Sequence, residues 1–163
     1  NQHYIPSGNE YGLRLDPRAS TLAKAGDAGD ILPYREFRIT PKEVIYLMLT
    51  AEYEKNWLDY FKYVDLQEVI RDYPDFARKY TRSPREYQGL ILEDFRKFLM
   101  SNARNKLIRF EVVSQTLENG NARVSVRAMR EIDGFDRDFL YTYYLSPKDS
   151  LWQVSGIEVQ LLK

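Results

Sequence analysis

The chain has no cysteine and a single histidine in 163 residues. The first absence removes disulfides, thiol nucleophiles and cysteine–zinc sites. The second removes histidine-based triads and metal sites that need several histidines. The one histidine, His3, falls in an aperiodic stretch and reads as a chance or tag-like residue. An excess of charge is also missing, with 24 Lys plus Arg against 24 Asp plus Glu. Bulk binding to nucleic acid or to an anionic membrane needs a basic surface, so neither is expected. The longest apolar run, Val44-Ile45-Tyr46-Leu47-Met48-Leu49, is far short of a transmembrane segment. There is no internal repeat and no Gly-rich phosphate loop, and no cofactor is expected. What the chain does have is aromatics, with 13 Tyr and 8 Phe. They suit a cavity with polar-tipped walls and equally suit an ordinary core.

Residues 1–32 lack sustained periodicity, and the stretch from Asp16 to Asp30 is small, polar and Gly-rich. It reads as a flexible N-terminal arm. Residues 33–163 are long enough for a single α+β domain. Tyr34, Phe37 and Ile39 would form a short edge strand or pack on that domain. The sequence starts at Asn1 rather than Met, which suggests a processed or trimmed product. With the tether-like arm, this gives the expectation of an extracytoplasmic site, periplasmic or surface-tethered.

Helical periods fill the first part of the domain. Thr40-Pro41-Lys42-Glu43 is a capping box, with Pro at the first helical position and Ile39 and Val44 as a staple. The helix it opens should run to about Val64. Glu52, Lys55, Asn56, Asp59 and Lys62 would then share a polar face, and Tyr53, Trp57, Tyr60, Phe61 and Val64 an apolar one. Leu66 to Tyr73 reads as a short helix stopped by Pro74, and Phe76 to Tyr80 as a weaker turn. Ser83-Pro84-Arg85-Glu86 repeats the capping box and should open a helix to about Ala103. Its stripe is Tyr87, Ile91, Leu92, Phe95, Phe98 and Leu99.

Near Lys106 the period drops to two, and four strands follow. The first, Leu107 to Leu117, should place Ile108, Phe110, Val112 and Thr116 on one face. Asn119-Gly120 predicts a two-residue hairpin, because a type I′ turn needs positive φ at both centres. The second strand points Ala122, Val124, Val126 and Ala128 inward, with Arg123, Ser125, Arg127 and Met129 outward. Asp133-Gly134 turns into Phe139 to Leu145, and Pro147-Lys148-Asp149-Ser150 into the last strand. There Trp152 and Val154 keep one parity, while Ile157, Val159 and Leu161 take the other. A bulge at Ser155-Gly156 would restore facing and bend the sheet. The expected fold class is α+β, with N-terminal helices packed on a bent four-stranded antiparallel sheet.

The aromatic helix carrying Ala51-Glu52-Tyr53-Glu54-Lys55-Asn56-Trp57, and the last strand with Leu151-Trp152-Gln153-Val154 and Gly156, resemble the nuclear-transport-factor-2-like (cystatin-like) superfamily over about residues 40–163. The order of elements is also similar to periplasmic phospholipid-carrier proteins. The resemblance implies a cone-like shell with a pocket. The superfamily includes isomerases, dehydratases, hydrolases, transport factors and lipoprotein domains, so a reaction is not implied.

Glu54 falls on the apolar side of the expected long helix. A carboxylate there could serve as a general acid or base, although snorkelling to water or pairing with arginine is the commoner outcome. Tyr46, Tyr53, Trp57, Tyr60, Tyr141 and Tyr143, with Val126 beneath, would wall the cavity. The bland reading makes them core residues with satisfied hydroxyls. Arg109, Arg123, Arg127 and Arg130 recur along the sheet among Glu111 and Glu131 and read as a solvated outer face of cross-strand ion pairs. Arg71, Arg78, Lys79, Arg82 and Arg85 form a second cluster, diluted by Asp72, Asp75 and Glu86. The expected role is non-catalytic binding of a small apolar or lipid-like ligand or of a protein partner. The alternatives are a cofactor-free isomerase or dehydratase using Glu54 with a tyrosine, and a pure protein-interaction domain. Oligomeric state is open, with a dimer compatible.

Overall fold

The computed structural model describes residues 39–101 and 105–162. The expected arm with His3 lies outside the described residues, as do Tyr34 and Phe37 of the expected edge strand. Five helices precede the sheet among those described: α1 Pro41–Glu54, α2 Trp57–Lys62, α3 Leu66–Val69, α4 Pro74–Arg82 and α5 Arg85–Met100, with a 3₁₀ turn Ile70–Asp72 after α3. The strands are β1 Asn105–Glu118, β2 Asn121–Ile132, β3 Phe135–Lys148 and β4 Leu151–Leu162, antiparallel and in sequence order.

The first capping box forms as expected. Glu43 N donates to Thr40 Oγ1 at 3.2 Å, and Thr40 N donates to Glu43 Oε1 at 2.8 Å. Helix α1 buries Val44, Ile45, Met48, Leu49 and Ala51 against the sheet. It does not run to Val64. Lys55 takes the left-handed conformation (φ 59°, ψ 32°), and Asn56 N closes back onto Ala51 O at 2.8 Å. This is the double closure that ends helices. Asn56 then caps α2, its Oδ1 accepting from Asp59 N at 3.3 Å. The expected continuous apolar face from Tyr53 to Val64 is thereby divided between two helices.

Pro74 ends one helix and also starts the next, sitting at the first position of α4. The weaker turn expected over Phe76 to Tyr80 is part of this nine-residue helix. The second capping box does not form. Ser83 Oγ donates to Lys79 O at 2.8 Å, closing α4, and α5 begins without a side-chain cap. Phe95 is fully buried, its ring 4.9 Å from Tyr73 and 5.2 Å from Phe76.

All three hairpin turns have positive φ at both central residues: Asn119-Gly120, Asp133-Gly134 and Asp149-Ser150. The bulge in β4 is where the parity slip placed it. Tyr144 pairs with Gly156 and Leu145 with Val154, leaving Ser155 as the extra residue. Strand β1 carries two register shifts that were not anticipated, at Ile108 and Val113. Leu107, Phe110 and Val112 therefore face the core, and Ile108 does not keep the expected alternation.

The cone-like shell is corrected. The sheet is open, with β1 and β4 as its edges, and is neither closed nor strongly curled. Closure needs the first strand to meet the last. Here the register shifts lie in the two outer pairings, while β2 and β3 pair without interruption from Ala122–Leu145 to Ile132–Phe135. The bends are thus local to the edges. The β4 edge is met at Val154 by the chain after α2. Asp65 N donates to Val154 O at 2.9 Å, and Val154 N donates to Tyr63 O at 2.8 Å. Beyond it, Asp72 Oδ2 accepts from Ile157 N at 2.8 Å, pinning the strand beside its bulge.

No helix among the described residues is long and apolar enough to cross a membrane.

Candidate functional site

The inner face of the sheet is covered unevenly. At the end packed by α1 and α3, Val124, Val126, Leu145 and Val154 are fully buried. Where α1 ends at Lys55, cover ends too, and a cleft of about 780 Å³ opens. Its walls are the end of α1 with α2, Tyr73, the end of α5, and the Asn105–Ile132 side of the sheet.

Arg130 lies at the floor. It continues the inward parity of Ala122, Val124, Val126 and Ala128, and is 7% exposed. Its guanidinium grips Glu52 with two nitrogens, Nη1 to Oε2 at 2.5 Å and Nη2 to Oε1 at 3.2 Å. Its Nε donates to Tyr141 Oη at 2.6 Å, and Nη1 also donates to Asn105 Oδ1 at 3.3 Å. A paired, multiply hydrogen-bonded charge is the form in which a buried arginine persists. Burial pulls the guanidinium down, but the Glu52 charge and its hydrogen bond outweigh this and hold it well above its ordinary value. Glu52 follows Ile45, Met48 and Leu49 at helical spacing, so the stripe that fills the core delivers it to the arginine.

Around this pair stand four tyrosines, Tyr60, Tyr73, Tyr141 and Tyr143. The rings of Tyr141 and Tyr143 stack at 5.6 Å, from alternate positions of β3. Burial is the main cause that pushes all four phenols above their ordinary value. The Glu52 charge adds to this in each case, and Arg130 works against it. They stay neutral hydroxyls through the physiological range.

The eight residues singled out from sequence divide. Tyr53, Trp57, Tyr60, Tyr141 and Tyr143 line the cleft. Val126 is sealed in the core, and Tyr46 packs on Phe110 with ring centroids 5.7 Å apart. Glu54 is exposed and does not line the cleft. The carboxylate that does line it, Glu52, had been assigned to the polar face, and Arg130 to the outer face of the sheet. Both assignments are corrected. The inner parity of β2 and the Ile45–Met48–Leu49 spacing of α1 were the signals. No group of three or more His, Cys, Asp or Glu among the described residues could hold a metal ion.

Solved structures match the chain over much of its length. A protein described as a calcium/calmodulin-dependent protein kinase type II association domain, from Thiobacillus denitrificans, matches at 12% identity and TM-score 0.49, over 76% of this chain and 96% of its own. A SEC-C-motif-containing protein from Rhodopseudomonas palustris matches at 13% and 0.47, over 83% and 89%. An NTF2-like protein of unknown function from Shewanella oneidensis matches at 14% and 0.47, over 74% and 98%. None of the three is named as a phospholipid carrier, and at these values the likeness says nothing of activity. No curated protein matches the chain. The family described as flagellar collar protein C, C-terminal domain, matches residues 42–163, which contain all the described helices and strands but for the first residue of α1. The chain belongs to that family.

Proposed function

We propose that the domain is a non-catalytic docking module of a flagellar collar, whose cleft receives an apolar segment of a neighbouring protein chain. The observation that carries this reading is the rim. Tyr53 and Phe98 are each 45% exposed and Val159 is 54% exposed, all lining one open cleft. Pockets for small molecules enclose most of their ligand, whereas an exposed apolar rim around a depression fits a protein surface. The interior supports binding rather than conversion. Its carboxylate has both oxygens engaged by Arg130.

A second reading, retention of a small apolar or lipid-like molecule, is favoured by the volume. About 780 Å³ falls in the range usual for such ligands. Site-specific photocrosslinking in cells that build the collar tests the first reading. A photoreactive residue at Phe98 or Val159 should capture a neighbouring protein chain, and one at Arg127 on the outer face should not. Equal capture from both faces, or none from the cleft, would remove the docking reading. Native mass spectrometry with organic extraction would reveal a co-purifying molecule and support the second.

A further inference from the structure

We propose that the floor of the cleft is a site for an uncharged hydrogen-bond acceptor, an amide or main-chain carbonyl, carried into the cleft beside an apolar side chain of the partner. This rests on the docking reading and specifies the partner's chemistry.

The floor is rich in donors and poor in net charge. The hydroxyls of Tyr60, Tyr73 and Tyr143 have no hydrogen-bond partner among the described residues. Tyr141 accepts from Arg130 Nε, so its own proton is left to donate. Apolar wall is supplied beside them by Phe139 and Ile157. An all-hydrocarbon insert would strip water from these hydroxyls and give nothing back, at about 1–3 kcal/mol for each group left unmade. A carboxylate would meet the donors but also Glu52, whose charge already cancels that of Arg130. Its desolvation would go uncompensated by any buried cation among the described residues, since Arg130 is already paired with Glu52 and the two lysines of the cleft, Lys55 and Lys106, are exposed side chains. A carbonyl accepts the hydrogen bonds and brings no charge. Burial of the phenols keeps them protonated donors.

Two probes differ only in this feature: N-acetyltryptophanamide and N-acetyltryptophan, the latter a carboxylate at neutral pH. Each is titrated into the purified chain and followed by heteronuclear NMR. The amide should shift the resonances of Arg130 and Tyr143 and bind at least about fivefold more tightly than the carboxylate, roughly 1 kcal/mol. Tyr143→Phe and Tyr73→Phe should each weaken the amide severalfold without lowering the melting temperature, because each removes a hydroxyl that no described residue engages. Glu52→Gln, which keeps an acceptor for Arg130 but deletes the charge, should turn the preference toward the carboxylate. Equal or tighter carboxylate binding to the unmodified chain, unchanged affinity in the phenylalanine variants, or no binding of either probe would overturn the proposal. The two proposals fail separately. Amide preference without crosslinking from the rim would sink the docking reading alone. Crosslinking without amide preference would sink the acceptor site alone.

Discussion

The same three strands serve two different regions at their two ends. At one end β2, β3 and β4 present Val124, Val126, Leu145, Trp152 and Val154 to the core under α1 and α3, and all are buried. At the other they present Arg130, Phe139, Tyr141, Val159 and Leu161, and burial falls away until Leu161 is 57% exposed. Alternation is kept throughout, apart from the one-residue bulge at Ser155. The difference is therefore not in the sheet. It comes from the helix that stops at Lys55 and from side chains that change from aliphatic to tyrosine and arginine where cover is lost. An aliphatic face gains most from being sealed. A tyrosine or a paired arginine tolerates partial exposure because its polar end still finds partners.

If the open end depends on keeping its phenols neutral, alkali should destroy the comparison most completely. The folded-state values of Tyr60, Tyr73, Tyr141 and Tyr143 are raised above the unfolded value of about 10 by burial. The unfolded chain then releases protons that the folded chain retains. The stability they contribute is fully present below about pH 10 and is lost as pH rises through the folded values. Tyrosinate absorbance and circular dichroism should change together in a single alkaline transition. Full ionisation of all the tyrosines with the fold intact would contradict the burial of these rings.

The next largest effect should come from the charge pair. Arg130→Met leaves the half-buried Glu52 without its partner, which costs up to about 3–5 kcal/mol, the cost for a fully buried charge. Glu52→Leu together with Arg130→Met should recover most of that loss, measured by denaturant unfolding. A single variant as stable as the double would mean that water compensates Glu52 and that this end is wetter than described.

A matched pair of truncations compares the two ends directly. Leu49→Ala, under the sealed end, should cost about 2–5 kcal/mol by leaving a cavity. Val159→Ala, at the open end, should stay within about 0.5 kcal/mol yet reduce crosslinking through the cleft. Equal costs would show that the open end is packed in solution.

The strands and their hairpins were legible in the sequence because two-residue periodicity and Asn-Gly and Asp-Gly turns act locally. So was the β4 bulge, since a one-residue slip reverses every following side chain. The bulges at Ile108 and Val113 were not, because continuous apolar residues there hide the slip. Tyr141 and Tyr143 were legible as cleft residues from their strand parity. Glu52 and Arg130 were harder. Their types suggested the surface, although their positions followed the buried stripe of α1 and the inner parity of β2. Position outweighs residue type when a partner of opposite charge lies across the fold, and a single sequence does not display that partner. The cone was read from resemblance, and the uninterrupted β2–β3 pairing set against it is a tertiary property.

The smallest effect concerns the residue on which the division between the two ends turns. Read along the chain, Lys55 continues a helical pattern, yet it adopts φ 59° and closes α1. A side chain in that conformation costs roughly 1–2 kcal/mol, which glycine avoids. Asn56 capping the next helix and the closure onto Ala51 hold the break in place. Lys55→Gly should therefore stabilise the chain, by less than about 1 kcal/mol once glycine's greater unfolded freedom is subtracted. Lys55→Ala should gain nothing, because alanine keeps the strain. Reversible thermal unfolding separates these outcomes. A stabilising alanine and a destabilising glycine would mean that α1 runs on through Asn56 in solution. In that case the helix would cover the floor at Arg130, and the cleft would be closed.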